Sequence, residues 1–364
     1  MKLKAIGLRT IDVYIIKKFL GSYVFFILLI ISVSVMFDFN EKVDNFIKNS
    51  APAKAIIFDY YMNFIPYFAN LFSSLFTFIS VIFFTSKLAD NSEIIAMLSS
   101  GINFNRLMRP YLISASIIAL TTFLLNSFII PPANITRIDF QNKYVKNRKV
   151  DYASNIQFEI EPGLVAYFDS FNADAKRGTH FSLDKFQGKG LVSRLTAKTI
   201  MYDSAYHWTL NNYMIRNFIG MKEEIQEGEK MDTTLRVIPS DFLISADDSE
   251  QMSTPALRKY INRQKQRGMG NIQDFEIEYH KRFAMAFAAF ILTIIGASLS
   301  SRKIKGGMGF NIGMGLLLSF SYIFFMQITS SFAISGTVSP FVAVWIPNLL
   351  YSFIAVYLFV KAPR

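Results

Sequence analysis

Five windows of this chain contain no Asp, Glu, Lys or Arg, and they decide most of what it can fold into. They are Phe19 to Phe37 (19 residues), Tyr60 to Ser86 (27), Pro110 to Thr136 (27), Phe283 to Ser301 (19) and Gly306 to Val360 (55). A helix rises about 1.5 Å per residue, so about 20 apolar residues cross the roughly 30 Å of hydrocarbon in a bilayer. The last window is too long for one helix. The turn-like run Ser335-Gly336-Thr337-Val338-Ser339-Pro340 divides it into Phe310 to Ile334 and Phe341 to Val360. Six membrane spans are the expectation, because soluble core helices are seldom charge-free for so long. The first window follows Lys17 and Lys18, as the apolar part of a secretory leader would. It is longer than such a segment, however, and no small-residue cleavage site follows at Met36-Phe37-Asp38-Phe39.

Composition agrees: 52% of the 364 residues are hydrophobic and only 18% are charged, against about 25% charged in soluble domains. Three histidines and no cysteine exclude thiol nucleophiles, iron–sulfur clusters, disulfides and Cys-type zinc sites, and leave a His-based metal site short of ligands. No metal and no cofactor of the chain's own is expected.

Orientation follows from the Lys and Arg in the short flanks. With the N-terminus in the cytoplasm, the inner segments hold Lys2, Lys4, Arg9, Lys17, Lys18, Lys87, Arg106, Arg109, Arg302, Lys303, Lys305, Lys361 and Arg364. The outer short loops hold only Lys42, Lys48 and Lys54. Thirteen against three places both termini in the cytoplasm and the long segment between spans three and four outside.

That segment, from about Ala133 to Lys281, carries most of the charge, in both signs, and is punctuated by turn residues. Strand-like alternation recurs at Ile156 to Ile160, Leu164 to Phe171, Thr179 to Phe186, Leu191 to Asp203, His207 to Ile219 and Thr233 to Ile238. Glu161-Pro162-Gly163, the loop from Asn172 to Gly178, Gly188-Lys189-Gly190 and Glu227-Gly228-Glu229 punctuate these runs. Strands with no helix between them predict an antiparallel sandwich or open jelly roll. A helix should follow, with Thr254 as N-cap, Pro255 at its first position and Gly268 past its end; Leu257 and Ile261 share one side among Arg258, Lys259, Arg263, Lys265 and Arg267. It reads as a solvated connector into span four, with acidic lipid headgroups the less favoured contact.

The expected architecture is an α-helical membrane protein with six transmembrane helices and an inserted all-β, jellyroll-like extracytoplasmic domain. Residues 1–132 hold spans one to three, 133–275 the β-domain and its connecting helix, and 276–364 spans four to six.

The windows lack the titratable groups that an ion relay needs. Asn63, Asn70, Asn126, Asn311, Gln327 and Asn348 suit interhelical hydrogen bonds, and Gly309 with Gly313 forms a small-xxx-small pair whose default meaning is close helix contact. Nor is there a Gly-x-x-x-x-Gly-Lys-Ser/Thr run, so the chain brings no P-loop. Driving force for transport must come from a separate nucleotide-hydrolysing chain. One segment suits docking of such a chain. Asn91 or Ser92 can cap a short helix with Glu93 in its first turn, Ile94, Ile95, Met97 and Leu98 give it an apolar stripe, and Gly101 can end it. Spacing alone leaves open whether this stripe meets lipid or a partner.

Several runs, in this order, resemble the lipopolysaccharide export permeases LptF and LptG. They are Ile11-Asp12-Val13-Tyr14-Ile15-Ile16-Lys17, the stretch from Asn91 to Ile102, His280-Lys281-Arg282, Gly306-Gly307-Met308-Gly309-Phe310 and Trp345-Ile346-Pro347-Asn348. The resemblance covers essentially the whole chain. It implies a non-catalytic, multi-pass permease of the bacterial inner membrane, with a periplasmic β-jellyroll, paired with a sister permease over an ATPase dimer that binds the ATP. The implied cargo is lipopolysaccharide, drawn from among the membrane lipids through lateral gates of spans one and five. It would pass to periplasmic bridge proteins of LptC and LptA type, and nucleic acid has no part.

By the resemblance the Ser92 to Gly101 segment is the coupling helix, with Glu93, Ile94, Met97, Leu98 and Gly101 as its coupling residues. Lys42, Lys48, Arg137 and Lys143, just outside spans one and three, are candidate partners of lipid phosphates, although each suits interfacial anchoring equally well. Asp38 departs from the pattern, since some members carry a basic residue there. The motifs are shared by both sister permeases and leave the choice between them open. Two other readings also stay open: an ABC-type permease for another large amphiphile, and a membrane-anchored scaffold whose outer domain recruits partners.

Overall fold

The computed structural model describes residues 9–145, 152–172, 175–188, 190–220, 222–239, 246–266, 272–302 and 307–362. Lys2, Lys4, Lys189, Arg267, Gly268, Lys303, Lys305, Gly306 and Arg364 lie outside them. The helices are α1 (Thr10–Lys48), α2 (Ala53–Ala55), α3 (Met62–Leu71), α4 (Ser73–Asp90), α5 (Glu93–Ser99), α6 (Phe104–Leu124), α7 (Ile130–Tyr144), α8 (Ala246–Ser249), α9 (Thr254–Gln266), α10 (Gln273–Ser300), α11 (Gly307–Ile334) and α12 (Pro340–Val360). Wide π turns join α2 to α3 (Ile56–Tyr61) and α6 to α7 (Leu125–Ile129). Among the described residues six stretches are long and apolar enough to cross a membrane: α1, α4, the run Phe104–Tyr144, α10, α11 and α12. The chain forms two compact units, one from Met1–Val145, Glu250–Pro255 and Glu276–Arg364, the other from Lys146–Ser249 and Ala256–Phe275.

In the helical unit two expected boundaries move. The single second span is two helices, broken at Phe72 (φ −95°, ψ 4°) six residues after the internal Pro66. Span three does not stop at residue 132. Pro131 and Pro132 lack the N–H groups that the preceding turn would use, and the wider π turn just before them lets the helix continue to Tyr144.

Two glycines set the close contacts of the bundle. A Cβ on Gly315 would lie 2.3 Å from the Ile82 side chain, and one on Gly296 3.0 Å from that of Val81, so α10 and α11 pack closely on α4 at these glycines and a larger residue would have to displace a side chain. Gly309 and Gly313, by contrast, have no neighbour within 4 Å of such a Cβ, and the contact read into their spacing is not made within the described residues.

Two of the six amides, Asn311 and Asn348, tie helices as expected, while Asn63 donates to the nearby Phe58 and Asp59 carbonyls. Asn311 donates to Ser86 Oγ (3.0 Å), joining α11 to α4. Asn348 accepts from Tyr322 Oη (2.8 Å) and donates to the Ala284 carbonyl (3.0 Å), joining α12 to α11 and α10.

The second unit holds an antiparallel sheet of β1 (Tyr152–Glu161), β2 (Leu164–Asn172), β3 (Arg177–Gln187), β4 (Gly190–Ser204), β5 (His207–Ile219) and β6 (Lys222–Thr234), paired in sequence order. It is a meander in which each strand pairs with the next. Its core holds Phe158, Phe168, Phe171, Phe181, Leu210 and Trp208, whose indole donates to the Val237 carbonyl (3.0 Å).

Strict alternation breaks in mid-sheet. Phe168, Phe181, Ala197 and Tyr213 form one inward row, while Phe171, Gly178, Ile200 and Leu210 form the next, so inward residues on each strand stand three apart instead of two. Between the rows His180 (φ 48°) and Asn212 (φ 50°) adopt left-handed backbone, and the sheet changes phase there as at a bulge.

The sixth strand lies earlier than its alternation indicates, over Lys222–Thr234 and not Thr233 to Ile238. It is an edge strand and almost wholly exposed, so its sequence shows no apolar face. Gly228, read as a turn, sits within it because the Tyr213 ring occupies the place of a Cβ, 2.7 Å away. On the sheet surface the Asp184 carboxylate takes Arg194 in a fork of two 2.7 Å bonds, which holds the guanidinium pKa above its usual value.

Candidate functional site

The segment expected to couple to a partner folds as the seven-residue helix α5. Ser92 occupies the N-cap position with left-handed backbone (φ 60°), but its side chain makes no capping bond. Asn91 instead donates to the Glu93 side chain (3.4 Å). The C-terminus closes as the sequence predicts: Gly101 (φ 86°) donates to the Leu98 carbonyl (3.0 Å) and Ile102 to that of Met97 (3.3 Å).

The apolar stripe is divided between two directions. Ile94 and Met97 are buried in the chain's own core and hold α5 to the bundle; they do not face outward. Leu98 packs partly against the same cluster. The outward face carries Ile95, Ala96 and Ser99, with Glu93 half-exposed beside it.

The N-terminal end of α1 grips this helix and the turn beyond it. Asp12 is fully buried and takes Arg106 in a bidentate pair with both bonds 2.7 Å long. The same carboxylate accepts the Arg9 backbone N–H (2.9 Å), capping α1. Two residues on, Tyr14 Oη donates to Glu93 (3.0 Å). Ile15 and Phe19 lie in one cluster with Ile94, Met97, Leu107 and Tyr111, and Phe19 stacks on Phe84 at 5.4 Å. Sequence reading placed Asp12 and Tyr14 in one motif and Glu93 in another. Only the fold shows that Tyr14 touches Glu93 and Asp12 touches Arg106, across 79 and 94 residues of chain.

The four basic candidates at the other end of the bundle divide evenly. Lys42 is committed: it pairs with Asp38 one helical turn back and with Tyr60 Oη. Asp38 also accepts from Tyr60 (3.1 Å) and Tyr61 (3.2 Å), which gives the departing acidic residue a structural task. Arg137 is buried between Asn134 (3.1 Å), Glu250 (3.8 Å) and the face of Tyr67. Lys48 and Lys143 are exposed, the first in the last turn of α1 and the second over the Tyr144 ring.

A second cluster was not legible from spacing. The buried Arg282 donates to Glu278 (3.0 Å), to the Met252 carbonyl (2.9 Å) and to Thr254 (3.0 Å), while Thr254 reaches Ser127 (3.0 Å). Glu250 meets Tyr67, Asn134 and Arg137. Together these bonds fasten the connector Glu250–Pro255 to α3, α7 and α10. The sequence had singled out His280-Lys281-Arg282, Thr254 and Arg137, each for a separate reason.

The helical unit thus combines a short helix with a half-exposed acid in its first turn, buried amides used for packing and spans left bare. A family model described as lipopolysaccharide export system permease LptF/LptG matches residues 13–361. No curated protein matches the chain.

Proposed function

Starting from the fact that the chain belongs to the LptF/LptG family of lipopolysaccharide export permeases, we propose that it is one permease of an ATP-driven exporter. Such an exporter extracts lipopolysaccharide from the inner membrane and hands it to a periplasmic bridge of LptC- and LptA-like proteins. Its termini and α5 face the cytoplasm, by the excess of Lys and Arg in those flanks, and its β-sheet unit faces the periplasm. A separate ATPase dimer binds and hydrolyses the ATP, and a sister permease completes the cavity.

The observation that carries this reading is α1. It is 39 residues long and strongly apolar, yet only 6% of its span window is buried within the chain. In a bilayer such a face meets lipid or another subunit. α11, with 28% of its window buried, is the second bare span, which suits a cavity open to a many-tailed lipid. Of the four basic candidates, Lys48 and Lys143 are exposed and available to its phosphates, while Lys42 and Arg137 shape the rim through their own partners.

Glu93, at the edge of the outward face of α5, is the residue proposed to meet the ATPase. Glu93→Lys is expected to abolish copurification of the ATPase with the two permeases; an intact, fully active complex would remove α5 from that role. Photocrosslinkers at Lys48 and in α11 should trap lipopolysaccharide, and a different trapped amphiphile would reassign the cargo.

A further inference from the structure

α1 is held at both ends and bare between them. Its first turns are fixed by the Asp12–Arg106 fork, the Tyr14–Glu93 bond and the buried Ile15 and Phe19. Further along, Tyr23 meets Ser73 Oγ (2.6 Å), which in turn meets Thr122 (3.0 Å). At the far end Phe46 packs with Tyr60, Phe64 and Phe140, and Asp38 and Lys42 close on Tyr60. The residues between, among them Val24, Phe25, Leu28, Leu29, Val33 and Met36, are exposed.

A continuous helix between two anchored ends transmits displacement along its axis, because its hydrogen-bond ladder resists bending where no Pro interrupts it. Between Thr10 and Lys48 there is none, and the helix runs unbroken through Gly21 and Ser22.

We propose that Asp12 and Arg106 are positioning residues that make α1 a strut, carrying movement of α5 and the turn after it to the Asp38–Lys42–Tyr60 cluster at the other end of the span. The inference rests on the ATPase-coupling role proposed for α5. Three features single out this joint. Asp12 is wholly buried, so its charge persists only because the guanidinium and a backbone N–H satisfy it. The fork is bidentate, which fixes orientation as a single-point contact does not. Glu93 opens α5 and Arg106 lies in the first turn of α6, and both are held by the first turns of α1, so a shift of α5 and the turn after it pulls or pushes that end.

The test uses the assembled complex of both permeases and the ATPase in proteoliposomes containing lipopolysaccharide, and reads lipid released per ATP hydrolysed. A merely structural pair would change the amount of complex and leave that ratio alone. Asp12→Asn is expected to retain hydrolysis and to lower the ratio about tenfold, within the usual range of coupling between sites. Asp12→Glu, which restores the charge, should recover part of it. An assembled Asp12→Asn complex with an unchanged ratio overturns the proposal.

If that variant fails to assemble, Tyr14→Phe, which removes one hydroxyl, decides in its place: a reduced ratio supports the strut and an unchanged one overturns it. The Glu93→Lys copurification result stands apart. ATPase retained there sinks the docking role of α5, whereas ATPase lost there with an unchanged Asp12→Asn ratio sinks only the strut.

Discussion

α1 and α4 are both uninterrupted apolar spans, yet α4 has 78% of its window buried within the chain and α1 only 6%. Hydrophobicity does not separate them, since α1 is the more apolar of the two, with mean hydropathy 2.4 against 1.2. Small and hydroxylated residues do. α4 presents Ser73, Ser74, Thr77, Ser80, Thr85 and Ser86, all buried, and its neighbours meet it with Gly296 and Gly315. In lipid, greasy surface gains nothing by meeting greasy surface, so close backbone approach and hydrogen bonds decide which helix goes inside. The lesson is that the central helix of this bundle is its least apolar span.

Three experiments can break or sharpen that contrast. The largest effect should come from truncating a buried ring of α4. Phe78→Ala is expected to cost about 3–5 kcal/mol in unfolding of the detergent-solubilised chain, while Phe25→Ala on α1 should stay within about 0.5 kcal/mol. Equal losses would mean that α1 is covered by its own chain.

Next is the glycine pair that the fold chose over the one the spacing suggested. Gly315→Val must displace Ile82 and is expected to lower stability by about 1–3 kcal/mol, measured in the same way. The same change at Gly309 meets open space and should matter only once a second subunit is bound. A destabilised isolated Gly309→Val chain would reverse the assignment.

The smallest perturbation exploits the absence of cysteine from the sequence. A spin label on a single cysteine at Phe25 should be relaxed strongly by oxygen dissolved in the bilayer, and one at Ser80 only weakly. Binding of the sister permease is expected to weaken the first effect and leave the second alone.

How much could be read beforehand follows the same division. The spans were legible because the absence of charge over 19 or more residues is a requirement of hydrocarbon, not a preference of one fold. The break at Phe72 and the continuation through Pro131 and Pro132 were not, since each depends on how neighbouring helices accept a distorted turn. β5 was read to the residue from its alternation, but β6 was displaced because an edge strand has no apolar side to show.

At the coupling helix, Ile94 and Met97 carried the right periodicity and the wrong destination: amphipathicity marks a buried face without naming what buries it. The Asp12–Arg106 fork left no local trace, because neither residue is unusual in its own neighbourhood.

The two units also differ in when they can be finished. Every pairing in the sheet is with the next strand along, so the meander is complete as soon as Thr234 has been made, and contacts so local form early. The helical core has no such independence: Asn311 and Gly315 must reach Ser86 and Ile82 across more than two hundred residues. During synthesis the face of α4 that carries Ile82 and Ser86 therefore waits in the bilayer uncovered while a whole domain folds, and the ribosome must deliver the last third of the chain before that face meets its partners. Whatever shelters that half-built helix in the meantime is as much a condition of the native state as any bond within it.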